Sequence, residues 1–188
     1  MKATEYTAAV TAELRETLAA LDDAQVERLA QNVVEAKRVF FAGAGRSLLM
    51  VKCCAMRLMQ LGLTAYVVGE TTTPSITAED LLLVVSGSGE TASIACMAKK
   101  AKAIGARLAL VTIVPESTVG RLTDTLVRID ASSTKVDREQ TRGSVQLGGS
   151  LFELSALLLL ETLVMLVIEK KGIAAPNTLL MQNHANLE

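Results

Sequence analysis

Serine, threonine and glycine residues are concentrated in the segment 86–91, which reads Ser-Gly-Ser-Gly-Glu-Thr. Five apolar residues before it, Leu81–Val85, predict a strand buried on both faces, and Ala92–Ile104 after it has a helical pattern. A strand that passes through a glycine-rich turn into a helix leaves unpaired backbone N–H groups, which favour an anion together with the helix dipole. Three hydroxyls add hydrogen-bond donors: Ser86, Ser88 and Thr91. The segment predicts a phosphate-binding loop, although similar segments also serve as plain turns or helix caps.

A second glycine-rich segment, 43–47, reads Gly-Ala-Gly-Arg-Ser and follows an apolar strand predicted at 38–42. It does not complete the dinucleotide-binding pattern G-x-G-x-x-G, because Leu48 stands where the third glycine is required. The sequence also lacks a Gly-Lys-Ser/Thr motif and a G-x-S-x-G motif. These differences argue against a nicotinamide cofactor, a P-loop nucleotide site and a serine-hydrolase nucleophile.

The order of the predicted elements is typical of an α/β protein with a parallel sheet. Two helices, 6–20 and 24–36, precede five strands that alternate with helices. The strands are predicted at 38–42, 64–68, Leu81–Val85, Arg107–Thr112 and 125–129. We predict a five-stranded parallel sheet of flavodoxin-like order 2-1-3-4-5 with helices on both faces. Ligands bind such sheets at the carboxyl ends of strands 1 and 3, where the winding reverses, so both glycine-rich loops are expected in one crevice.

Composition narrows the class of protein further. The chain has 188 residues, enough for a single domain with N-terminal helices at 1–37, a sheet core at 38–131 and a helix and tail at 148–188. A formal net charge of -1 argues against a general nucleic-acid binder. The three cysteines lie in apolar helical patterns, so we expect them to be buried and reduced, as in a cytoplasmic protein. No signal peptide is evident at the N-terminus.

Two segments follow the predicted sheet. Residues 131–146 are polar and predict a long loop, which we interpret as a lid. Residues 154–168 are strongly apolar but interrupted by Glu161, and they look too short for a membrane span. They predict either a buried core helix or a helix that contacts another subunit.

Several segments carry a specific resemblance to a known family. The pair of loops at 43–47 and 86–91 is similar to that of the sugar isomerase (SIS) domain. Four longer segments resemble the 6-phospho-3-hexuloisomerases within that group: 41–47, 55–59, 67–74 and the tail 184–188. The resemblance extends from about residue 38 to the C-terminus. It implies interconversion of 3-hexulose 6-phosphate and fructose 6-phosphate in the ribulose monophosphate pathway, by a homotetramer without cofactor or metal.

The resemblance also implies roles for individual residues. Glu153 would be the base that moves a proton through an enediol, and Arg46 would donate to the enediolate. The phosphate would be held by residues of the two loops: Gly45, Ser47, Ser86, Ser88 and Thr91. His184, the one histidine in the chain, would act on the site of a neighbouring subunit and help to open the sugar ring.

Each assignment has a structural alternative. Glu153 stands three residues after Ser150 at a predicted helix start, so the two can form a capping box. Arg46 can be a surface ion-pair partner, and His184 a solvated tail residue. Glu161 is a competing carboxylate that we expect to be structural. The alternative function is a non-catalytic sugar-phosphate sensor, but residues 1–37 show no basic cluster of the kind that DNA-reading modules carry.

Overall fold

The computed structural model describes residues 2–133, 136 and 144–187 and has the predicted α/β architecture. The strands are β1 (Val39–Gly43), β2 (Ala65–Val67), β3 (Leu81–Val85), β4 (Arg107–Thr112) and β5 (Thr125–Arg128). The helices are α1 (Ala3–Ala19), α2 (Asp23–Glu35), α3 (Arg46–Gln60), α4 (Ala92–Ile104), α5 (Ser150–Lys170) and α6 (Pro176–Gln182). A short 3-10 helix, Gly120–Leu122, precedes β5.

The five strands are parallel and lie in the order β2-β1-β3-β4-β5, which confirms the predicted topology. Alternate residues of each strand face opposite layers. Leu81, Leu83 and Val85 pack in the larger core with α2, α3 and α5, whereas Leu82 and Val84 pack in the smaller core with α4. The central strand is therefore apolar on both faces because helices cover both.

The register of β1 and β3 brings the two glycine-rich loops together. Val39 pairs with Leu81 and Gly43 with Val85, so both strands end at the same level. The loop after β1 and the loop after β3 leave the sheet side by side as a result.

Three expectations about helices and burial were wrong. Helix α3 begins at Arg46, whereas the sequence pattern predicts a helix from Leu48 to Leu61, so Arg46 and Ser47 lie in its first turn. Helix α6 was not predicted at all. Of the cysteines, Cys54 alone is buried, and its burial raises the pKa of its thiol; Cys53 and Cys96 lie on outward faces of their helices and are exposed.

The proposed lid comprises residues 131–146. Most of this segment, residues 134–135 and 137–143, lies outside the described residues.

Helix α5 extends on both sides of the apolar segment 154–168. Its 21 residues are long and apolar enough to cross a membrane by length and composition, so the short length of the segment 154–168 was a wrong argument against a membrane span. Half of its most apolar window is nevertheless buried in the fold, against α1, α2 and α3. A core helix passes the same test of length and composition, and this packing agrees with the prediction of a buried helix.

The amino ends of β1 and β3 are joined by a buried carboxylate, Asp80. Its two oxygens accept hydrogen bonds from Arg38 Nε (2.9 Å) and Nη2 (2.7 Å), and from the backbone N–H (2.7 Å) and hydroxyl (2.8 Å) of Thr77. Burial alone would raise the pKa of Asp80, but the hydrogen bonds from Arg38 and Thr77 outweigh it and lower the pKa below its ordinary value of 3.8. Asp80 therefore stabilises the fold as a carboxylate.

Replacing this carboxylate should destabilise the protein in a pH-dependent way. We expect Asp80→Ala to lower the free energy of unfolding by about 3 kcal/mol near neutral pH, since it leaves Arg38 without its partner. A lowered pKa stabilises the folded state above the ordinary pKa, and this contribution disappears as the pH falls through the lowered value. The difference between wild type and variant in urea unfolding should therefore shrink below about pH 4.

The neighbouring Glu79→Ala is the matched control, because Glu79 forms an exposed ion pair with Lys37. It should change stability by less than about 1 kcal/mol. An Asp80→Ala protein as stable as Glu79→Ala would contradict the assigned role of Asp80.

Candidate active site

A cavity of about 300 Å³ lies at the carboxyl ends of β1 and β3. It brings together every predicted site residue except His184: Gly45, Arg46, Ser47, Ser86, Ser88, Thr91 and Glu153. The predicted crevice between the two loops is thus present. The start of helix α5 forms a further wall of the cavity.

Three helices begin at this cavity without a side-chain cap. The N-cap residues of α3, α4 and α5 are Gly45, Thr91 and Gly149; all three line the cavity, and none has a side-chain cap hydrogen bond. By contrast, α2 begins away from the cavity and is capped by Asp22, which accepts from two backbone N–H groups. Uncapped helix starts present unsatisfied N–H donors and positive dipole ends. Their convergence gives the cavity the properties of an anion site.

The loop 86–91 keeps its donors free for a ligand. Ser86 Oγ accepts from the N–H of Gly89 at 3.2 Å, and Ser88 Oγ accepts from the N–H of Glu90 at 3.3 Å. Each hydroxyl therefore retains its own O–H to donate. Within the described residues, the backbone N–H groups of Ser88 and Thr91 have no partner.

Two glycines make the first loop possible. A Cβ on Gly43 would lie 2.9 Å from the backbone nitrogen of Leu48, so strand β1 and helix α3 approach closely only at a glycine. Gly45 has φ +57°, in the left-handed region that glycine adopts readily. These two residues turn the chain sharply enough for the start of α3 to face the cavity.

On the opposite side of the cavity, Glu153 is paired with Arg46. The guanidinium Nε of Arg46 donates to Oε2 of the Glu153 carboxylate. The Glu153 side chain is 16% exposed and lies in the cavity wall, whereas the Arg46 side chain is 57% exposed. The predicted alternative, a capping box with Ser150, is not formed: helix α5 has Gly149 as its N-cap and no side-chain cap bond.

Six further residues line the cavity and were not predicted as site residues: Ala44, Val85, Gly87, Ser133, Gly149 and Phe152. Gly87 packs against Phe152, since a Cβ on Gly87 would lie 3.3 Å from that ring. Ser133 belongs to the polar segment after β5, where neither periodicity nor a motif distinguished it. Phe152 belongs to an apolar helical pattern that predicts a core residue. Its position next to Glu153 in the sequence could have indicated that it lies near the cavity.

His184 lies away from its own cavity. Its neighbour Asn183 donates to the backbone carbonyl of Gln60 at 3.0 Å, at the far end of α3 from Arg46. A helix of this length separates the two ends by about 20 Å. His184 itself is exposed, with Nδ1 at 3.2 Å from the carbonyl oxygen of Ala185. Its own subunit therefore does not bring the imidazole to Glu153.

Two other polar residues lie outside this cavity. Glu161 lines a separate groove between α3, α5 and α6. The Thr73 hydroxyl donates to the carbonyl of Val67 at 2.6 Å, which is turn chemistry after β2. Within residues 2–133, 136 and 144–187, no three His, Cys, Asp or Glu side chains are close enough to hold a metal ion.

A larger cavity, of about 530 Å³, lies between α2 and the start of β5. It combines carboxylates and guanidinium groups, including Asp22, Arg28 and Arg121. The α2 start that it borders is already capped by Asp22. It therefore lacks the free helix-start donors of the smaller cavity, which is the better candidate for an anion.

Comparison with known proteins agrees with this geometry. The SIS domain family model matches residues 32–159. The chain is 40% identical to a 3-hexulose-6-phosphate isomerase of Bacillus subtilis over the whole length of both proteins. It is 44% identical to a 3-hexulose-6-phosphate isomerase of Mycobacterium gastri, covering 94% of this chain and 86% of that one.

A solved structure is similar over nearly the whole chain. It is a hypothetical protein of Methanococcus jannaschii whose crystal structure infers a molecular function of 3-hexulose-6-phosphate isomerase. The two share 29% identity with a TM-score of 0.81, over 98% of this chain and 99% of that one.

Binding of inorganic phosphate tests the anion site without reference to any reaction. Thr91→Val and Ser86→Ala should each weaken phosphate binding roughly 10-fold or more, because hydrogen bonds to a charged group are among the stronger ones. Titration calorimetry measures the dissociation constants. Thr162→Val is the control: its hydroxyl bonds to Leu158 on α5, outside the cavity, and binding should be unchanged. Phosphate binding that is equal in all three variants would remove the loop from the site.

Proposed function

The chain belongs to the SIS domain family, within the group of 3-hexulose-6-phosphate isomerases, and we propose that its cavity interconverts D-arabino-3-hexulose 6-phosphate and fructose 6-phosphate. One observation carries the assignment of the site. A held carboxylate, Glu153, faces a cavity in which three uncapped helix starts and the hydroxyls of residues 86–91 converge. The anion site suits the sugar phosphate, and the carboxylate suits proton transfer at the carbons beside the ketone.

The reaction moves a carbonyl group between carbons 3 and 2 of the open-chain sugar. Glu153 removes the proton from carbon 2, next to the ketone at carbon 3, which leaves an enediolate. A proton passes from the oxygen on carbon 2 to the oxygen on carbon 3, and Glu153 returns its proton to carbon 3. Arg46 moves from the Glu153 carboxylate to the oxygen on which negative charge develops. The ion pair of Arg46 and Glu153 thus contains the proposed base and the proposed donor, and substrate binding rearranges them.

The phosphate lies at the opposite end of the substrate from this chemistry. The hydroxyls of Ser47, Ser86, Ser88 and Thr91 and the helix starts near Gly45 and Thr91 hold it. Since the phosphate does not react, its binding energy serves mainly to place carbons 2 and 3 beside Glu153.

The finer assignments rest on the same family. We propose that the protein is a homotetramer in which each chain is a single SIS domain. We also propose that it acts in the cytoplasm, in the ribulose monophosphate pathway. The exposed apolar residues on the outer faces of α3 and α5, Leu49, Met56, Leu158 and Met165, support a subunit contact there. Assembly would also allow His184 to reach the cavity of a neighbouring subunit, since its own is about 20 Å away.

The alternative, a non-catalytic sugar-phosphate sensor, is less favoured. Helices α1 and α2 pack against α5, and α2 also packs against β5, so neither stands apart as a DNA-reading module. The curated relatives above are named as isomerases. A coupled assay that converts 3-hexulose 6-phosphate to fructose 6-phosphate decides between them, because a sensor would bind the sugar phosphate without turnover.

Replacing the base tests the proposed chemistry. We expect Glu153→Gln to lower kcat in the coupled assay by at least roughly 10²- to 10⁴-fold, the usual effect of removing a positioned acid–base group. The melting temperature should change little, since Gln keeps the shape of the side chain. Glu161→Gln, two turns along the same helix, is the control and should retain activity. A Glu153→Gln protein with wild-type kcat would exclude this residue as the base.

Mixed oligomers test the role of His184 in a neighbouring subunit. If Glu153→Gln and His184→Ala are each inactive alone, subunits refolded together should recover part of the activity, because some sites then receive both intact groups. Activity of the mixture relative to each parent is the measurement. Mixed oligomers that form and stay inactive would show that His184 does not act across the interface.

A further inference from the structure

The phosphate-binding loop contains a carboxylate that the proposed chemistry does not use. Glu90 lies between Ser88 and Thr91, yet it does not line the cavity. Its side chain turns toward Thr118 instead. Oε1 accepts from the Thr118 backbone N–H at 2.6 Å, and Oε2 accepts from the Thr118 hydroxyl at 2.7 Å. A negative charge beside a phosphate site would weaken anion binding, so this orientation requires an explanation.

The two donors of Thr118 fit the charged form of Glu90. The hydrogen bonds from the hydroxyl and the backbone N–H of Thr118 lower the pKa of Glu90, with a smaller effect of Arg121. A carboxylate offers an acceptor to each donor, and charge-assisted hydrogen bonds are shorter and stronger than neutral ones. Glu90 and Thr118 thus form a bidentate clamp between the loop after β3 and the segment after β4.

The backbone on either side of the clamp is closely fitted to that same segment. Val119 N–H donates to the carbonyl of Gly89 at 3.2 Å. A Cβ on Gly89 would lie 2.0 Å from the Ser117 Oγ, and Gly89 has φ +62°. The backbone of Gly89 and Glu90 therefore fits closely against residues 117–119. The Glu90 side chain adds a further contact that keeps the backbone in this position.

The first half of the loop is fixed independently. The carbonyl of Gly87 accepts from the Thr112 hydroxyl and from the Ile113 N–H, both at 3.0 Å. The free N–H of Ser88 and the N–H and hydroxyl of Thr91 lie next to these anchors in the chain. The anchor at Gly87 uses backbone and a buried threonine, whereas the second anchor combines the backbone bond between Val119 and Gly89 with the exposed side chain of Glu90.

We propose that Glu90 is a positioning residue for phosphate: through Thr118 it fixes the backbone from Gly89 to Thr91, so that the donors at Ser88 and Thr91 face the cavity. Glu90 itself does not touch the substrate. The inference rests on the proposed phosphate role of this loop and adds the residue that gives the loop its shape.

Substitutions on both sides of the clamp test this role. Glu90→Ala should raise KM for fructose 6-phosphate roughly 10- to 100-fold with a smaller change in kcat, since misplaced binding groups cost affinity and alignment. Thr118→Val should raise KM less, because the Thr118 backbone N–H still donates to Glu90. The inhibition constant of inorganic phosphate should rise in parallel. Glu90→Gln keeps an acceptor for the Thr118 N–H, and its amide can donate to the Thr118 hydroxyl, so it should recover most of the affinity.

A double substitution and a nearby control complete the design. Glu90→Ala combined with Thr118→Val should be no worse than Glu90→Ala alone, because Thr118→Val removes one hydrogen bond of a contact that Glu90→Ala already removes completely. Glu116→Ala removes an exposed carboxylate in the same region whose side chain makes no hydrogen bond or ion pair with residues 2–133, 136 and 144–187, and it should leave KM and phosphate inhibition unchanged. Melting temperatures of all variants separate a local effect from loss of the fold.

The outcomes are distinguishable. Unchanged phosphate inhibition in Glu90→Ala, or a Glu90→Gln protein as impaired as Glu90→Ala, would overturn the clamp while leaving the proposed isomerase intact. Loss of kcat at constant KM and constant phosphate inhibition would instead give Glu90 a chemical role and also overturn it. Failure of the wild-type protein to bind phosphate would contradict both the clamp and the proposed phosphate site.

Discussion

The structure depends on one geometric constraint: β1 and β3 are parallel neighbours that end in register, Gly43 beside Val85. Because of it, the chain must leave the sheet twice at the same place and start a helix each time. Helix starts carry unsatisfied N–H groups, and burying them without partners is unfavourable. The starts of α3 and α4 have no side-chain cap, and α5 adds a third. The fold thereby concentrates donor groups that a bound phosphate satisfies.

The rest of the molecule keeps this arrangement rigid. Apolar residues on both faces of β3 fix the sheet between two helical layers, and Asp80 ties the other ends of β1 and β3 together. On the cavity side, α5 packs against α3 and brings Glu153 opposite Arg46. The proposed base is thus carried by a long core helix, not by a loop, so its distance from the proposed phosphate-binding donors is set by core packing.

The sequence predicted the sheet, its order and the meeting of the two loops, because buried parallel strands are continuous apolar runs and glycine-rich turns mark their ends. It did not predict α6, whose short amphipathic pattern follows Pro176 and depends on packing against α3 for its stability. The ion pair of Arg46 and Glu153 joins residues 107 positions apart, which no local pattern reveals. The contact of Glu90 with Thr118 was not predicted either. The glycine-rich motif identified the loop 86–91, but no local pattern identified Thr118 as its contact partner.

Deuterium incorporation from heavy water tests the central claim, that Glu153 moves a carbon-bound proton in this cavity, most directly. Fructose 6-phosphate at saturating concentration is incubated with the protein in D₂O, and NMR measures deuterium at carbon 3. The account predicts incorporation by the wild-type protein and a loss of at least roughly 10²-fold in Glu153→Gln, with the sugar phosphate still bound. Incorporation by Glu153→Gln at the wild-type rate would contradict it.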